Sequence, residues 1–298
     1  MKTKHQRICI MVFALIAMAS AIAYADNIYV SCFPSGTIEK FDSSGNRSTF
    51  ASGLNGPSGL AFDSSGNLCA ANYWNGIIEK FDSSGKRSTF VSDLNTPQAL
   101  AFDRNGNLYV SMYSSGTIEK IDSSGKGAIW ASGLVHSVGL AFNNSGNLYA
   151  PTRSSGPDEI ILKFDSRGNA SVFASAPNGP ASLGFDSSGN LYVATYYGGT
   201  IEKFDSSGNR STFAHGLNKP VGLAFDSKGY LYATESGSGT IKKFDASGNG
   251  TLFASGLSGP TFIATQVPKR GTLLLLGLGI GTLLLLGLGW LALRKRRA

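Results

Sequence analysis

Pro57, Pro97, Ser137, Pro180, Pro220 and Pro260 fall in one column of a repeat whose successive spacings are 40, 40, 43, 40 and 40 residues. A chain that repeats at this period is built from supersecondary units, none of which can bury its apolar face without a neighbour. The unit reads Pro-x-Gly-Leu-Ala-Phe-Asp-Ser-Ser-Gly-Asn-Leu-Tyr-Val-Ala, a variable loop, then Gly-Thr-Ile-Glu-Lys-Phe-Asp-Ser-Ser-Gly-Asn-Arg-Ser-Thr-Phe-Ala-Ser-Gly-Leu. It holds four short apolar segments, a to d. In one copy these are Gly59 to Phe62, Asn67 to Ala70, Ile77 to Phe81 and Ser88 to Val91. Each is bounded by Gly, Asn or Asp, which marks it as a strand. The a–b and c–d connections are near copies, Asp63-Ser-Ser-Gly-Asn67 and Asp82-Ser-Ser-Gly-Lys86. In such turns Asp accepts backbone N–H groups and Gly supplies the positive φ. The 38 Gly fit many tight turns, while 42% hydrophobic and 11% aromatic residues exclude a disordered chain.

Four-stranded antiparallel meanders at this period predict a β-propeller. Segment b occurs six times, at Ile28, Leu68, Leu108, Leu148, Leu191 and Leu231, whereas the first b has no a before it. After the last d, Pro260 to Thr265 supplies an orphan a. The expected fold is therefore all-β: a six-bladed propeller over residues 26–266, closed by N-terminal b–c–d strands and a C-terminal a strand. Closure of this kind removes the open sheet edges.

The two ends read as addresses. Residues 1–25 have a basic start (Lys2, Lys4, Arg7), an apolar run from Ile8 to Ala23, and Ala23-Tyr24-Ala25, which predicts a signal peptide cleaved before Asp26. Residues 267–298 contain an uncharged stretch from Gly271 to Leu293, long enough for one transmembrane helix, followed by Arg294-Lys-Arg-Arg297. The positive-inside rule leaves the propeller outside the cell. The net charge of +7 belongs to these ends. Nine basic residues lie there unopposed, leaving 17 of the 26 basic residues against all 19 acidic ones between Asp26 and Asp245. That balance excludes a nucleic-acid partner.

The Gly-Leu-Ala-Phe-Asp, Gly-Asn-Leu-Tyr-Val-Ala and Ile-x-Lys-Phe-Asp columns over residues 26–266 resemble the NHL family of propellers. More distantly they resemble gluconolactonase-like and streptogramin-lyase-like propellers. Many NHL repeats carry Asp just after Val-Ala; here that column holds Cys32, Asn72, Met112, Thr152, Thr195 and Glu235. The Val-Pro-x-x-Gly-Thr-Leu-Leu-Leu-Leu-Gly-Leu-Gly stretch and the Arg-rich end resemble the bacterial PEP-CTERM sorting signal, with Lys269-Arg270 where Glu-Pro stands in that motif. The resemblance implies an exported protein of the cell envelope or exopolysaccharide matrix, processed by exosortase-type machinery. The alternative is a permanent single-span membrane anchor.

In this topology the a–b and c–d turns share one face and the b–c and d–a loops the other. The turn face repeats one hairpin with little variation, so it offers little specificity. The b–c loops vary, and they present Phe33, Tyr73, Trp74, Tyr113, Arg153, Tyr196 and Tyr197, candidates for binding a carbohydrate or an envelope protein. Packing between blades is the plainer role for the same rings. For catalysis, His136 and His215 are the histidines of the repeat region, both in d–a loops. With Glu235 they form the candidate acid–base set of a lactonase-like hydrolase or lyase. No cofactor motif, clustered metal-ligand set or Asp-x-Asp-x-Asp-Gly loop occurs. Glu39, Glu79, Glu119 and Glu202 stand beside Lys40, Lys80, Lys120 and Lys203, a pattern that predicts Glu–Lys ion pairs between blades. Cys32 and Cys69 fall in neighbouring blades at columns three positions apart, which disfavours a disulfide.

Overall fold

A computed structural model of the chain describes residues 26–134, 136–152 and 159–266. The proposed signal segment, the candidate membrane span and Arg153 lie outside the described residues. Among the described residues no helix is long and apolar enough to cross a membrane.

Twenty-four strands form six four-stranded antiparallel sheets. Blade 1 contains β1 (Asn27–Cys32), β2 (Thr37–Phe41) and β3 (Arg47–Ala51). Blade 2 runs through β4 (Pro57–Phe62), β5 (Leu68–Asn72), β6 (Ile77–Phe81) and β7 (Arg87–Val91), and blade 3 through β8 (Pro97–Phe102), β9 (Leu108–Met112), β10 (Thr117–Ile121) and β11 (Gly127–Ser132). Blade 4 has a two-residue inner strand, β12 (Ala141–Phe142), then β13 (Leu148–Pro151), β14 (Ile160–Phe164) and β15 (Ala170–Ser175). Blade 5 is β16 (Pro180–Phe185), β17 (Leu191–Thr195), β18 (Thr200–Phe204) and β19 (Arg210–Ala214). Blade 6 is β20 (Pro220–Phe225), β21 (Leu231–Glu235), β22 (Thr240–Phe244) and β23 (Gly250–Ala254). The last strand, β24 (Pro260–Gln266), pairs antiparallel with β1 and completes blade 1. Each inner strand packs on the inner strands of both neighbouring blades, so the ring closes as the strand count requires.

The burial of each strand follows its place in the blade. Strand b is buried along its whole length in blades 2, 3, 5 and 6, because both its faces meet another blade, while the start of strand d is exposed at the rim. The interfaces share one motif. The strand-b Tyr inserts edge-on between a strand-d Phe of its own blade and a strand-a Phe of the next: Tyr29 lies 5.0 Å from Phe50 and 5.2 Å from Phe62, and Tyr192 lies 5.0 Å from both Phe213 and Phe225. Two interfaces depart from it: in blade 2 the Tyr is replaced by Cys69, and where blade 6 meets blade 1 the strand-a Phe is replaced by Thr265. Along the axis, Gly59, Gly139 and Gly222 let neighbouring inner strands approach; a Cβ on Gly59 would stand 2.6 Å from the Gln98 carbonyl oxygen. The blade 1 residue of that column is Phe262, which joins the apolar cluster of Ala99 in blade 3 and Leu140 in blade 4. Neither blade adjoins blade 1, so this ring reaches across the axis.

The turns are held by their aspartates. Asp42 Oδ1 accepts the Ser44 and Asn46 N–H groups at 2.9 and 3.0 Å, Oδ2 accepts the Asn46 side-chain amide at 2.7 Å, and Gly45 has φ +86°. The same set recurs at Asp165, Asp205 and Asp245. The bond from Asn46 holds the Asp42 carboxyl below its ordinary value, and the corresponding Asn bonds do so for Asp165, Asp205 and Asp245.

The expected pairing of charges between blades needs correction. Among the described residues the ion pairs lie within blades, not between them: Glu39 pairs with Arg47 at 3.0 Å, Glu79 with Arg87 at 2.8 Å, and Lys80 with Asp63 at 2.9 Å. In the ladder Glu39 faces Thr49, which puts Arg47 diagonally across on the same side, while Lys40 points the other way, over the Tyr29 ring. Cys32 and Cys69 are both buried free thiols, as the column offset disfavoured pairing. Cys32 packs toward blade 6 and Cys69 toward blade 3, so the sulfurs point apart. Burial pushes their pKa values up to about 11 and about 12.

Candidate functional site

The loop face is set by one backbone column. The residue immediately before the repeat's Pro position is Gly56, Thr96, His136, Gly179, Lys219 or Gly259, and all six have positive φ, between 47° and 76°. Five of them use their carbonyl to accept the first N–H after strand b: Gly259 from Phe33, Gly56 from Tyr73, Thr96 from Tyr113, Gly179 from Tyr196 and Lys219 from Ser236. The left-handed backbone thus turns each carbonyl toward the b–c loop and fixes where its side chain starts. Glycine adopts this conformation at no steric cost, whereas Thr96, His136 and Lys219 carry about 1 kcal/mol of strain each. Of the five non-glycine residues with positive φ among the described residues, three fall in this one column.

On this frame the predicted aromatic residues meet. Phe33 lies 5.8 Å from Tyr73 and 5.7 Å from Trp74, Tyr73 lies 4.8 Å from Trp74 and 6.0 Å from Tyr113, and Tyr113 lies 4.8 Å from His136. Five rings from blades 1, 2 and 3 and the loop entering blade 4 form a continuous arc. Gly56 permits it: a Cβ there would stand 2.5 Å from Trp74 Cδ1 and 3.2 Å from a Phe33 ring carbon. Trp74 is 66% exposed, so the arc presents a ring to solvent. At its far end a cavity of about 230 Å³ opens beside Tyr113 and His136, floored by Leu134 and edged by the Ser114 and Ser115 loop. The Ser114 N–H is donated to Thr96 Oγ1 at 3.0 Å. A second pair, Tyr196 and Tyr197, stands 5.1 Å apart on blade 5, with the Lys219 ammonium 5.8 Å from the Tyr196 ring.

Of the candidate acid–base residues, Glu235 is bonded within the fold. Glu235 is 3% exposed: Oε1 accepts the Asn218 N–H at 2.8 Å and lies 3.5 Å from Lys242 Nζ, and Oε2 accepts the Thr240 hydroxyl at 2.7 Å. The carboxylate thereby fastens the loop entering blade 6. His215 is exposed, and among the described residues no hydrogen bond or ion pair joins it or His136 to Glu235. No group of three His, Cys, Asp or Glu side chains able to hold a metal occurs among those residues. In the column where many NHL repeats carry Asp, Asn72 is fully buried, and neither of its amide atoms has a partner among the described residues.

Thr96 and Lys219 are the members of this face that sequence reading missed. Their signal was present: in a column that is Gly in three of six repeats, they and His136 are the non-glycine residues.

No protein-family model matches the sequence, and no curated protein sequence matches it. Solved structures do. A chain of a nidogen/laminin complex superposes with a TM-score of 0.74 at 20% identity, covering 81% of this chain and 98% of that one. A virginiamycin B lyase from Staphylococcus aureus, crystallised with quinupristin, gives 0.62 at 14% identity over 80% and 88% of the two chains. A gluconolactonase from Xanthomonas campestris gives 0.60 at 15% over 82% and 86%. These likenesses establish the six-bladed propeller fold.

Proposed function

We propose that this chain is an exported binding module, an NHL-like propeller that holds a carbohydrate or an envelope protein on its loop face. The observation that carries the reading is the arc of five rings from Phe33 to His136, one of its members 66% exposed, on a left-handed backbone frame. Aromatic faces edged by hydroxyl and amide groups suit the apolar face of a sugar ring or the aromatic core of a protein interface. An arc spanning three blades fits an extended ligand better than a compact one. The apolar run at residues 8–23 supports export, and the PEP-CTERM-like tail supports residence in the envelope, by anchoring at residues 271–293 or after exosortase-type processing.

A glycan array and an envelope-extract pull-down with the full chain, compared with Tyr73→Ala/Trp74→Ala, test the binding role. Binding is expected and the double variant should lose it by tenfold or more. Absence of any ligand, or a double variant that binds as well as the parent, overturns the reading. A lactonase or lyase reading draws on the propeller neighbours of that activity and rests on His215, Glu235 and His136. Turnover of lactone substrates that His215→Ala abolishes would replace the binding module with an enzyme. Fractionation of the expressing cells, with mass measurement of the purified protein, tests cleavage before Asp26 and processing of the tail.

A further inference from the structure

We propose that the groove between blades 3 and 4, on the turn face, is a second ligand site, and that it takes a neutral oligosaccharide. It goes beyond the loop-face reading, because it uses different residues on the opposite side of the ring.

The grooves between blades 1 and 2, 3 and 4, and 5 and 6 share one frame on this face: the strand-b Tyr as floor, the strand-d and strand-a aromatic rings beside it, and the a–b and c–d turns as rim. Between blades 1 and 2 this frame encloses about 290 Å³, and between blades 5 and 6 about 350 Å³. Between blades 3 and 4 it encloses about 640 Å³. The repeats are otherwise near copies, so the residues that differ locate the change. Trp130 replaces the strand-d Phe found in the other five blades, Arg104-Asn105 replaces Ser-Ser in the a–b turn of blade 3, and Asn143-Asn144 replaces Asp-Ser in the a–b turn of blade 4. All five line the enlarged groove.

The chemistry of the lining selects the ligand. Tyr109 stands edge-on to both Trp130 and Phe142, each at 5.0 Å, which holds the rings of the floor in fixed orientation. Trp130 is half-buried, so its indole is partly open to the groove. Such a floor stacks on the C–H face of a sugar. The rim is polar and balanced in charge. Asp103 and Asp165 stand against Lys120 and Arg104; Lys120 lies 3.9 Å from Asp103, and the Arg104 guanidinium donates to the Asn144 carbonyl. An anion entering would meet two carboxylates, and a cation would meet an ammonium and a guanidinium. A neutral polyhydroxylated ligand meets amide and hydroxyl partners without either penalty. The volume accommodates more than one sugar unit. Together with the loop face, the groove would let one propeller engage two saccharide chains at once.

The test uses tryptophan emission and calorimetry of the full chain in detergent, titrated with cellohexaose, maltohexaose and laminarihexaose, with oligogalacturonate as the anionic control. A Trp74→Phe background silences the loop face and leaves Trp130 as the reporter in the propeller. At least one neutral hexaose is expected to change its emission. Trp130→Phe and Arg104→Ser restore the residues of the other blades and keep the fold, and each should weaken calorimetric binding about tenfold. No response to any neutral hexaose, unchanged affinity in both variants, or preferential binding of oligogalacturonate overturns the proposal. Loss of binding in Tyr73→Ala/Trp74→Ala with retention in Trp130→Phe would place the ligand on the loop face alone and refute the second site while sparing the first.

Discussion

Replacing Cys69 by Tyr should stabilise the propeller, and the gain follows from the neighbouring blades. Cys69 occupies the column held by Tyr29, Tyr109, Tyr149, Tyr192 and Tyr232, each 2–4% exposed in its own interface. The rings that would receive the new side chain are already there, since Phe90 and Phe102 pack in the cluster that contains Cys69. Lys80, directly across the ladder from Cys69, has turned to Asp63 at 2.9 Å and lies 5.4 Å from the Phe90 ring, in place of the Lys–Tyr stacking seen for Lys120 over Tyr109 at 5.3 Å. A Tyr here adds two edge-to-face contacts at about 0.5–1.5 kcal/mol each and the burial of a ring, about 1–2 kcal/mol more than a buried Cys. Against this stand about 1 kcal/mol of side-chain entropy and the displacement of Lys80. The net expectation is 1–2 kcal/mol of stabilisation, a rise in Tm of roughly 2–8 °C for a propeller of this size. Thermal unfolding by circular dichroism reads it, with Tyr192→Cys as the mirror experiment, expected to cost about 2–4 kcal/mol. An unchanged or lowered Tm for Cys69→Tyr, with Tyr192→Cys still destabilising, would refute the claim that the interface of blades 2 and 3 offers the same frame as that of blades 5 and 6.

Phe262→Ala should cost about 3–5 kcal/mol, because it removes a ring that crosses the axis; chemical denaturation at equilibrium measures it, and a loss under 1 kcal/mol would show that the axis is not packed by this ring. Gly127→Arg should recreate in blade 3 the pair that Glu39 and Glu79 make with Arg47 and Arg87. Burial raises the Glu119 pKa, so this carboxylate opposes folding when charged; the new partner should add about 0.5–1 kcal/mol at neutral pH and less in acid, read as the Tm difference across pH. The turn aspartates Asp42, Asp165, Asp205 and Asp245 have lowered folded values, so their contribution is present above the ordinary value of 3.8 and is lost as pH falls through the folded values. Tm should therefore drop below that pH, and less so in an Asp42→Asn/Asp245→Asn variant. Cys32 and Cys69, buried with raised pKa values, should resist iodoacetamide at pH 8 until the chain unfolds, and rapid alkylation of the native protein would contradict their burial.

The fold was legible because every repeat states it again. The period, the four segments per unit and the unmatched b and a at the two ends together require a six-bladed ring, and no single strand had to be identified with certainty. What could not be read is what depends on contact between copies. The Glu–Lys alternation named the residues that would pair but not their partners, since Arg47 reaches Glu39 along a diagonal of the ladder that the sequence spacing does not display. Phe262 looked like one apolar residue of a closing strand; that it spans the axis follows only from the glycines facing it. The candidate site divides in the same way. The aromatic loop residues were visible as exceptions to the consensus, but their contact depends on Gly56 leaving room for Trp74 and Phe33, and on the left-handed column that seats them.

That column and the blade 3–4 groove make the same physical point about near-identical repeats. In a ring of copies, symmetry makes each position structurally equivalent, so a residue that suits the fold in five blades is under no structural pressure to change in the sixth. Where the chain departs and accepts a cost, as at His136 and Lys219 with positive φ, or opens a volume, as at Trp130 with Asn143, the fold alone offers no compensation. The turn face, dismissed from sequence because its hairpins repeat, holds the largest of these departures. Five substitutions scattered over 41 residues, from Arg104 to Asn144, read as noise along the chain and line one groove once blades 3 and 4 stand side by side.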